Sequence, residues 1–136
     1  NRQAEARGWL EPSGRLRPEC RSALLGLRYD ATASIESTAD YARSNLAALR
    51  RSTTVGSSDT EVARAAYLAH HLGLGDARTF LAGSLPDERA RRLLSAQVGA
   101  GSAAHRIAEA GDASVAHRQW LSAYVGKRIQ PERFLA

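Results

Sequence analysis

The sequence predicts an all-α fold, and three observations lead there. Apolar residues recur at alternating spacings of three and four through most of the chain, the period of an amphipathic helix. Helix start and stop signals punctuate those runs: Asp30, Ser58 with Glu61, and Asp112 or Ser114 at starts, and Gly73, Gly99 and Gly111 at ends. The apolar fraction is 43%, near the globular norm, but alanine supplies much of it and aromatics only 6%, a composition that favours closely packed helices around a thin core.

The elements follow in order. Gln3 to Leu10 reads as a short helix or the tail of one, ending before Pro12, and Glu11 to Gly14 as a turn. Pro18 suits the first turn of a helix running to about Leu27, with Cys20, Leu24 and Leu27 on one buried face. Asp30 caps the longest helix, which reaches about Arg51 and carries the stripe Ile35, Ala39, Ala42, Leu46 and Leu49. Ser52 to Ser58 is a polar loop. Ser58 and Glu61 have the form of a capping box for a helix from Asp59 to Leu72, with Val62, Ala66, Ala69 and Leu72 inward. Gly73 takes a left-handed cap, Gly75 permits a sharp turn and Asp76 caps a short helix to Ala82. Ser84, Pro86 and Asp87 open a helix to Val98. Ser102 to Ala110 follows, and then a last helix that buries Val115, Leu121 and Val125 with Trp120 or Tyr124 at its edge. Ile129 to Ala136 reads as an extended tail docked by Phe134. The segments LGLGDARTFLAG and VGAGSAAHRIAEAG form a faint repeat, in which the same cap chemistry is used twice. At 136 residues the chain suits one helical domain, 1–136.

The formal net charge is +5, and Lys127 is the only lysine among 19 basic residues. Such a balance suits an anionic partner such as nucleic acid, a membrane surface or a cell-wall polymer, and competes with the plainer reading of solvated, arginine-rich helix faces. Cys20 stands alone, which excludes an intrachain disulfide and a cysteine-based metal site. No run approaches the roughly 18 apolar residues of a membrane span, and no signal peptide is visible. Neither Gly-x-Gly is a phosphate loop, since no strand precedes it and no Lys-Ser/Thr follows.

The most informative stretch is AYLAHHLGLGDARTFL, ending at Leu81. Tyr67, His70 and His71 fall within one helical turn, so the tyrosine lies beside both histidines just before a glycine corner. Adjacent histidines point about 100° apart on a helix and do not share one metal, and no HExxH or cysteine partner accompanies them, so neither a metal nor another cofactor is expected. His105 and His117 read as helix-surface or boundary residues.

That stretch, together with LRYDATASIESTADYARSNLAAL (Leu27 to Leu49) and RARRLLSAQVG followed by AHRQWLSAYVGKRIQPERF, resembles the C-terminal half of lysozyme-like domains related to lytic transglycosylases and goose-type lysozymes. The versions carried by phage endolysins and type VI secretion effectors are the most similar. The resemblance runs from about Trp9 to Phe134. It implies a compact multi-helix lysozyme-like domain, incomplete at its N-terminus, within a longer polypeptide that cleaves peptidoglycan glycan strands as a muramidase or lytic transglycosylase. In that family the catalytic glutamate precedes a Gly-rich, Phe-Gln-containing segment, and no such segment occurs here. The resemblance therefore places the general acid upstream of this chain and implies that the chain alone is inactive.

Glycosidic cleavage needs a proton donor and usually a second carboxylate. Among the in-chain acids Glu36, early on the longest helix, is the candidate, although it does not occupy the family's catalytic motif. The resemblance implies that Tyr67, as the tyrosine of a variant AYN-type motif, contacts substrate with His70 and His71 beside it, and that Tyr41 and Asn45 border the groove. Implied partners are peptidoglycan glycan strands, the N-terminal part of the parent protein and an immunity protein, with delivery to the periplasm or cell wall by a specialised route. A different class of function is a non-catalytic peptidoglycan-binding or secretion-associated module. A nucleic-acid binder is disfavoured, since no recognised motif is present and the aromatics are not interleaved with the arginines.

Overall fold

A computed structural model describes residues 2–134. The fold is all-α. Among the described residues there are eight α-helices and three 3-10 turns, and the one extended pairing is an isolated bridge between Leu10 and Leu16. The chain divides into two units, one up to Ser44 and the other from Asn45 on.

The first unit holds α1 (Arg2–Ala6), α2 (Arg21–Gly26) and the greater part of α3 (Ala31–Arg50). At five residues α1 is far below the length at which a helix stands alone, so it depends on what it docks against. It docks through polar groups. The Gln3 amide donates to Glu36 at 2.8 Å, the Arg2 guanidinium pairs with Asp40 at 3.0 Å, and Arg7 donates to the Gln3 side-chain oxygen. Only Ala4 and Ala33 are buried apolar residues in this unit, with Gln3 beside them. The single helix expected over 18–27 is instead a 3-10 turn (Pro18–Cys20), the six-residue α2 and a second 3-10 turn (Leu27–Tyr29). Neither end of α2 has a side-chain cap, and tighter i→i+3 bonds take up the orphaned groups there.

Asp30 caps α3 as its sequence position predicts, its carboxylate accepting from Ala33 N–H at 2.8 Å. The apolar stripe of α3 is buried only toward its end. Leu49 is fully buried, Ala39, Ala42 and Leu46 are half-buried, and Ile35 is 70% exposed. The reason lies in α1, which engages the acidic face of α3 at Glu36 and Asp40 rather than its apolar face.

The second unit carries the core. It comprises the end of α3 with α4 (Asp59–Leu72), α5 (Leu74–Ala82), α6 (Asp87–Val98), α7 (Ala100–Ala110) and α8 (Ala113–Arg128). α4 packs on α5, α7 and α8 both pack on α6, and α8 also meets α7 and α4. Leu49, Leu68, Leu72, Phe80, Leu85, Leu94, Ile107, Leu121 and Val125 interdigitate with seven buried alanines, which let the helix axes approach closely. The capping box at Ser58 and Glu61 forms in both directions. The hydrogen bond from the Ser58 hydroxyl, followed by that from its backbone N–H, holds the Glu61 carboxyl below the usual range. The Glu61 carboxylate also occupies the place where a Cβ at Gly56 would project, so position 56 accepts only glycine without a shift. The inward face of α4 is Ala65, Leu68, Ala69 and Leu72, and Val62 and Ala66 are half-buried at its margin.

The two glycine corners are built alike. Gly73 (φ 79°, ψ 158°) both ends α4 and starts α5, and Gly99 (φ 83°, ψ 154°) does the same between α6 and α7. Each is extended in a mirror-image sense open to glycine, not the left-handed cap expected at Gly73. Because each corner is a single residue, Gly75 lies inside α5 rather than at a turn. Asp76 falls in the first turn of α5, where it suits the helix dipole and pairs with Arg89 at 2.6 Å instead of capping. Asp87 departs from expectation in a more useful way. Pro86 starts α6, and the Asp87 carboxylate reaches across to accept from Ala113 and Ser114 N–H at 2.6 and 3.0 Å. Asp112 accepts from Val115 N–H at 2.7 Å, so two carboxylates close the N-terminus of α8.

Beyond α8 the chain is not a docked extended tail. Ile129 packs on the core, Pro131–Arg133 forms a 3-10 turn alongside α4 with Glu132 accepting from the Thr60 hydroxyl at 3.4 Å, and Phe134 is 86% exposed. The last two residues of the expected tail lie outside the described residues. No described helix is long and apolar enough to cross a membrane.

Candidate functional site

Helical spacing on α7 and α8 builds one cleft. On α8, Ala116, Gln119, Trp120, Ala123, Tyr124 and Lys127 share one face through i, i+3 and i, i+4 relations, and on α7 Arg106, Glu109 and Ala110 do the same. The two faces enclose a cleft of about 430 Å³. Small residues, Ala116 and Ala123, form part of its lining and leave room for a ligand between the larger side chains.

The aromatic wall of this cleft continues as a stack toward the end of α4, where His71 is exposed. Trp120 and Tyr124 lie 5.4 Å apart at 22°, Tyr124 and Tyr67 6.4 Å apart at 35°, and Tyr67 and His71 5.4 Å apart at 15°. His71 also approaches Tyr124 at 6.5 Å. These separations fall in the range where aromatic rings attract one another. The Arg128 guanidinium sits 5.5 Å from the Tyr124 ring centre. Burial, first, and then a hydrogen bond with Tyr124 and charge repulsion from its phenol oxygen push the Tyr67 phenol above its ordinary value, against an opposing pull from Arg128. Tyr67 thus stays a neutral hydrogen-bonding group at any physiological pH. Gln97 meets the stack at its exposed His71 end, its amide donating to His71 Nε2 at 2.6 Å.

The candidates read from sequence divide between the two units. Tyr67 and His71 come together in the stack, where Tyr67 backs Tyr124 rather than lining the cleft itself. His70 is exposed beside them at the end of α4. Asn45 is buried at the start of the second unit, its Nδ2 without a hydrogen-bond partner. Glu36 and Tyr41 belong to the first unit. Glu36 is engaged by Gln3, and Tyr41, half exposed, helps to line a polar hollow of about 380 Å³ with Arg2, Gln3, Ser37, Asp40 and Ser44. No group of three His, Cys, Asp or Glu that could hold a metal is present among the described residues.

Sequence reasoning missed two things. Trp120 and Tyr124 were visible as an i, i+4 aromatic pair, but the stack and the cleft cations Arg106 and Lys127 depend on α7 and α8 meeting, which no local pattern reports. The sequence places His117 at the helix surface or its boundary. It is fully buried, with the Phe80 ring edge-on at 5.7 Å and neither ring nitrogen hydrogen-bonded. Burial, above all, pushes its pKa below 6.5; His71 and Arg118 act in the same sense and Asp76 against it.

Comparison with known proteins gives no relative: no family model, no curated protein and no solved structure matches this chain.

Proposed function

We propose that this chain serves a peptidoglycan-directed protein by holding glycan strands, as part of a lysozyme-like protein in which a glutamate outside these residues supplies the acid for cleavage. The observation that carries this reading is the Trp120–Tyr124–Tyr67–His71 stack opening onto a cleft between two helices. Sugar rings present flat C–H faces that pack on aromatic rings, while phenol and amide groups hydrogen-bond their hydroxyls, and the cleft offers both with Gln119 at hand. The basic balance of the chain suits a wall polymer that carries acidic groups. The resemblance in sequence supplies the cleavage, with delivery to the periplasm or cell wall by a specialised route.

A non-catalytic wall-binding module is the second reading, favoured by the state of Glu36. Its carboxylate is engaged by Gln3 in the first unit, and the acid that does line the cleft, Glu109, is largely exposed and paired with His105 at 3.3 Å. A general acid instead needs an environment that keeps it protonated.

Sedimentation with purified sacculi tests the shared core of both readings. The chain is expected to co-sediment, and Trp120→Ala, which removes the ring at the cleft end of the stack, is expected to weaken binding about tenfold. Release of soluble fragments by this chain alone would contradict the assignment of the acid to residues outside it. Absence of any binding would remove both readings.

A further inference from the structure

The smaller unit leaves an apolar surface uncovered beside arginines that have no acidic partner. α2 borders α3 without packing closely on it. The gap is a hollow of about 470 Å³ with Leu24, Leu25, Leu27 and Arg28 on one side and Ser34 and Thr38 on the other. A second hollow, of about 420 Å³, shares Ser34 and Thr38 and adds Ile35, Ala39 and Ala42. The two shared hydroxyls do not make this floor hydrophilic. Ser34 donates to the Leu27 and Arg28 carbonyls at 3.5 and 3.4 Å, and Thr38 to the Ser34 carbonyl at 2.8 Å, so the backbone already satisfies both. Leu25 and Ile35 stand 51% and 70% exposed at the two hollows. A continuous apolar surface left in water marks a place where something docks.

Charge points to the occupant. Residues 15–28 hold four arginines and one acid, Glu19. Arg15, Arg17 and Arg21 are exposed, and their side chains make no hydrogen bond or ion pair with another described residue. Arg28 lies over the Tyr29 ring, 4.7 Å from its centre, and has no carboxylate. The acids of the neighbouring helix are engaged elsewhere: Asp30 caps α3, Glu36 accepts from Gln3, and Asp40 pairs with Arg2 and Arg43. Arg21 and Arg28 fall four residues before and three residues after Leu25, the spacing that puts side chains beside one another on a helical turn. We propose that the paired hollows at α2 and α3 are a docking groove for an acidic amphipathic helix of a partner protein. Its apolar stripe enters the groove beside Leu25 and Ile35, and its carboxylates meet Arg21 and Arg28. The proposal stands independently of the glycan-binding reading. A second copy of the chain fits less well, because a two-fold pairing would set the same arginines against each other. A lipid surface is flat, whereas these residues line hollows. The patch is small, so the complex belongs to the weak, transient class.

Fluorescence anisotropy with the whole chain tests this. The probe is a labelled helical peptide of about 18 residues, five turns, with a leucine stripe and glutamates elsewhere. One control peptide replaces the glutamates with lysines, and another scrambles the stripe. The expected result is saturable binding of the acidic amphipathic peptide and several-fold weaker binding of both controls. Leu25→Ser, Ile35→Ser is expected to weaken binding several-fold at every salt concentration. Arg21→Gln, Arg28→Gln weakens it most at low salt and flattens its salt dependence. Arg92→Gln, Arg133→Gln, an equal charge change outside the groove, leaves it unchanged. All of these side chains are exposed, so an unaltered thermal melt separates lost docking from lost folding, and the arginine pair still decides the matter if the apolar pair unfolds. Equal binding of the three peptides, no binding, or binding untouched by either groove variant overturns the proposal. So does self-association in sedimentation, or binding to phosphatidylglycerol vesicles, that the groove variants abolish while peptide binding persists.

Discussion

The two units of this chain are held together by different physics. From Asn45 on, helices close over leucine, phenylalanine and alanine, and Leu49, Leu94, Leu121 and His117 are sealed from solvent. Up to Ser44, the buried apolar residues are two alanines, and beyond its buried Ala4 the contacts of α1 are ion pairs and amide hydrogen bonds. Buried apolar area is the larger and more dependable source of stability, since exposed ion pairs contribute a median of only about 0–1 kcal/mol. Both units carry amphipathic helices in sequence, so amphipathicity alone does not decide which segment acquires a core. What decides it is whether the apolar face meets another apolar face. Among the described residues, four of the six large apolar side chains left exposed, Leu25, Tyr29, Ile35 and Tyr41, belong to the smaller unit.

The largest expected effect follows directly. Leu121→Ala removes the three heavy atoms beyond Cβ from the sealed centre of the larger unit, where the close-packed neighbours of α8 collapse only partly into the gap. A loss of about 2–5 kcal/mol is expected, read as a lowered denaturant midpoint. A loss below about 1 kcal/mol would show that this core is loosely packed and that the contrast between the units is smaller than their burial suggests.

His117 sharpens the same contrast, because it is a polar side chain placed where the core demands an apolar one. Its folded-state pKa lies below 6.5, so the folded protein resists a proton that the unfolded chain accepts. The sign follows from proton counting: below about pH 6.5 the unfolded state binds more protons, so stability falls as pH drops through that point and continues to fall until the folded-state pKa is reached. His71 adds like-charge repulsion if it is protonated, Arg118 also disfavours the imidazolium, and Asp76 partly offsets them. His117→Leu replaces two unpartnered ring nitrogens with apolar atoms of similar reach. It is expected to raise stability at pH 7 by about 1 kcal/mol and to flatten the decline below pH 6.5. Thermal melts from pH 5 to 8 read both effects. A decline of unchanged slope in the variant would assign the acid sensitivity to other groups.

The elements most legible in the sequence are those whose cause is local. Asp30, the Ser58–Glu61 box, Asp112 and the start of α4 follow from cap chemistry acting within four residues, and the all-α class follows from the spacing of apolar positions. What escaped is what depends on distant partners. Asp87 resembles a first-turn acid of its own helix but caps α8, 26 residues on. Gly73 and Gly75 suggest a two-glycine turn, yet one residue of positive φ completes the corner. His117 carries no local sign of burial, because α8 is only weakly amphipathic and alanines give its faces little contrast. For the cleft, Tyr67 and His71 were legible as neighbours on one helix, whereas their joining to Tyr124 and Trp120 required α4 and α8 to pack.

The smallest expected effect is the one that tests the contrast from the other side. By sequence Ile35 is the first residue of the α3 stripe and ought to be as costly to alter as Leu49. In the structure it borders a shallow apolar surface with Ser34, Thr38, Ala39 and Ala42, and it is 70% exposed. Little apolar area is removed from water there on folding, so Ile35→Ser forfeits little burial, and serine is only slightly poorer than isoleucine as a helix former. A change within about 0.5 kcal/mol is expected from chemical denaturation, in line with exposed positions generally. The companion change Leu49→Ser, at the buried end of the same helix, serves as the reference and is expected to cost several-fold more. Equal losses at the two positions would mean that Ile35 is covered in solution. The stripe would then be one continuous buried face, and the smaller unit would hold more of the core than its alanines provide.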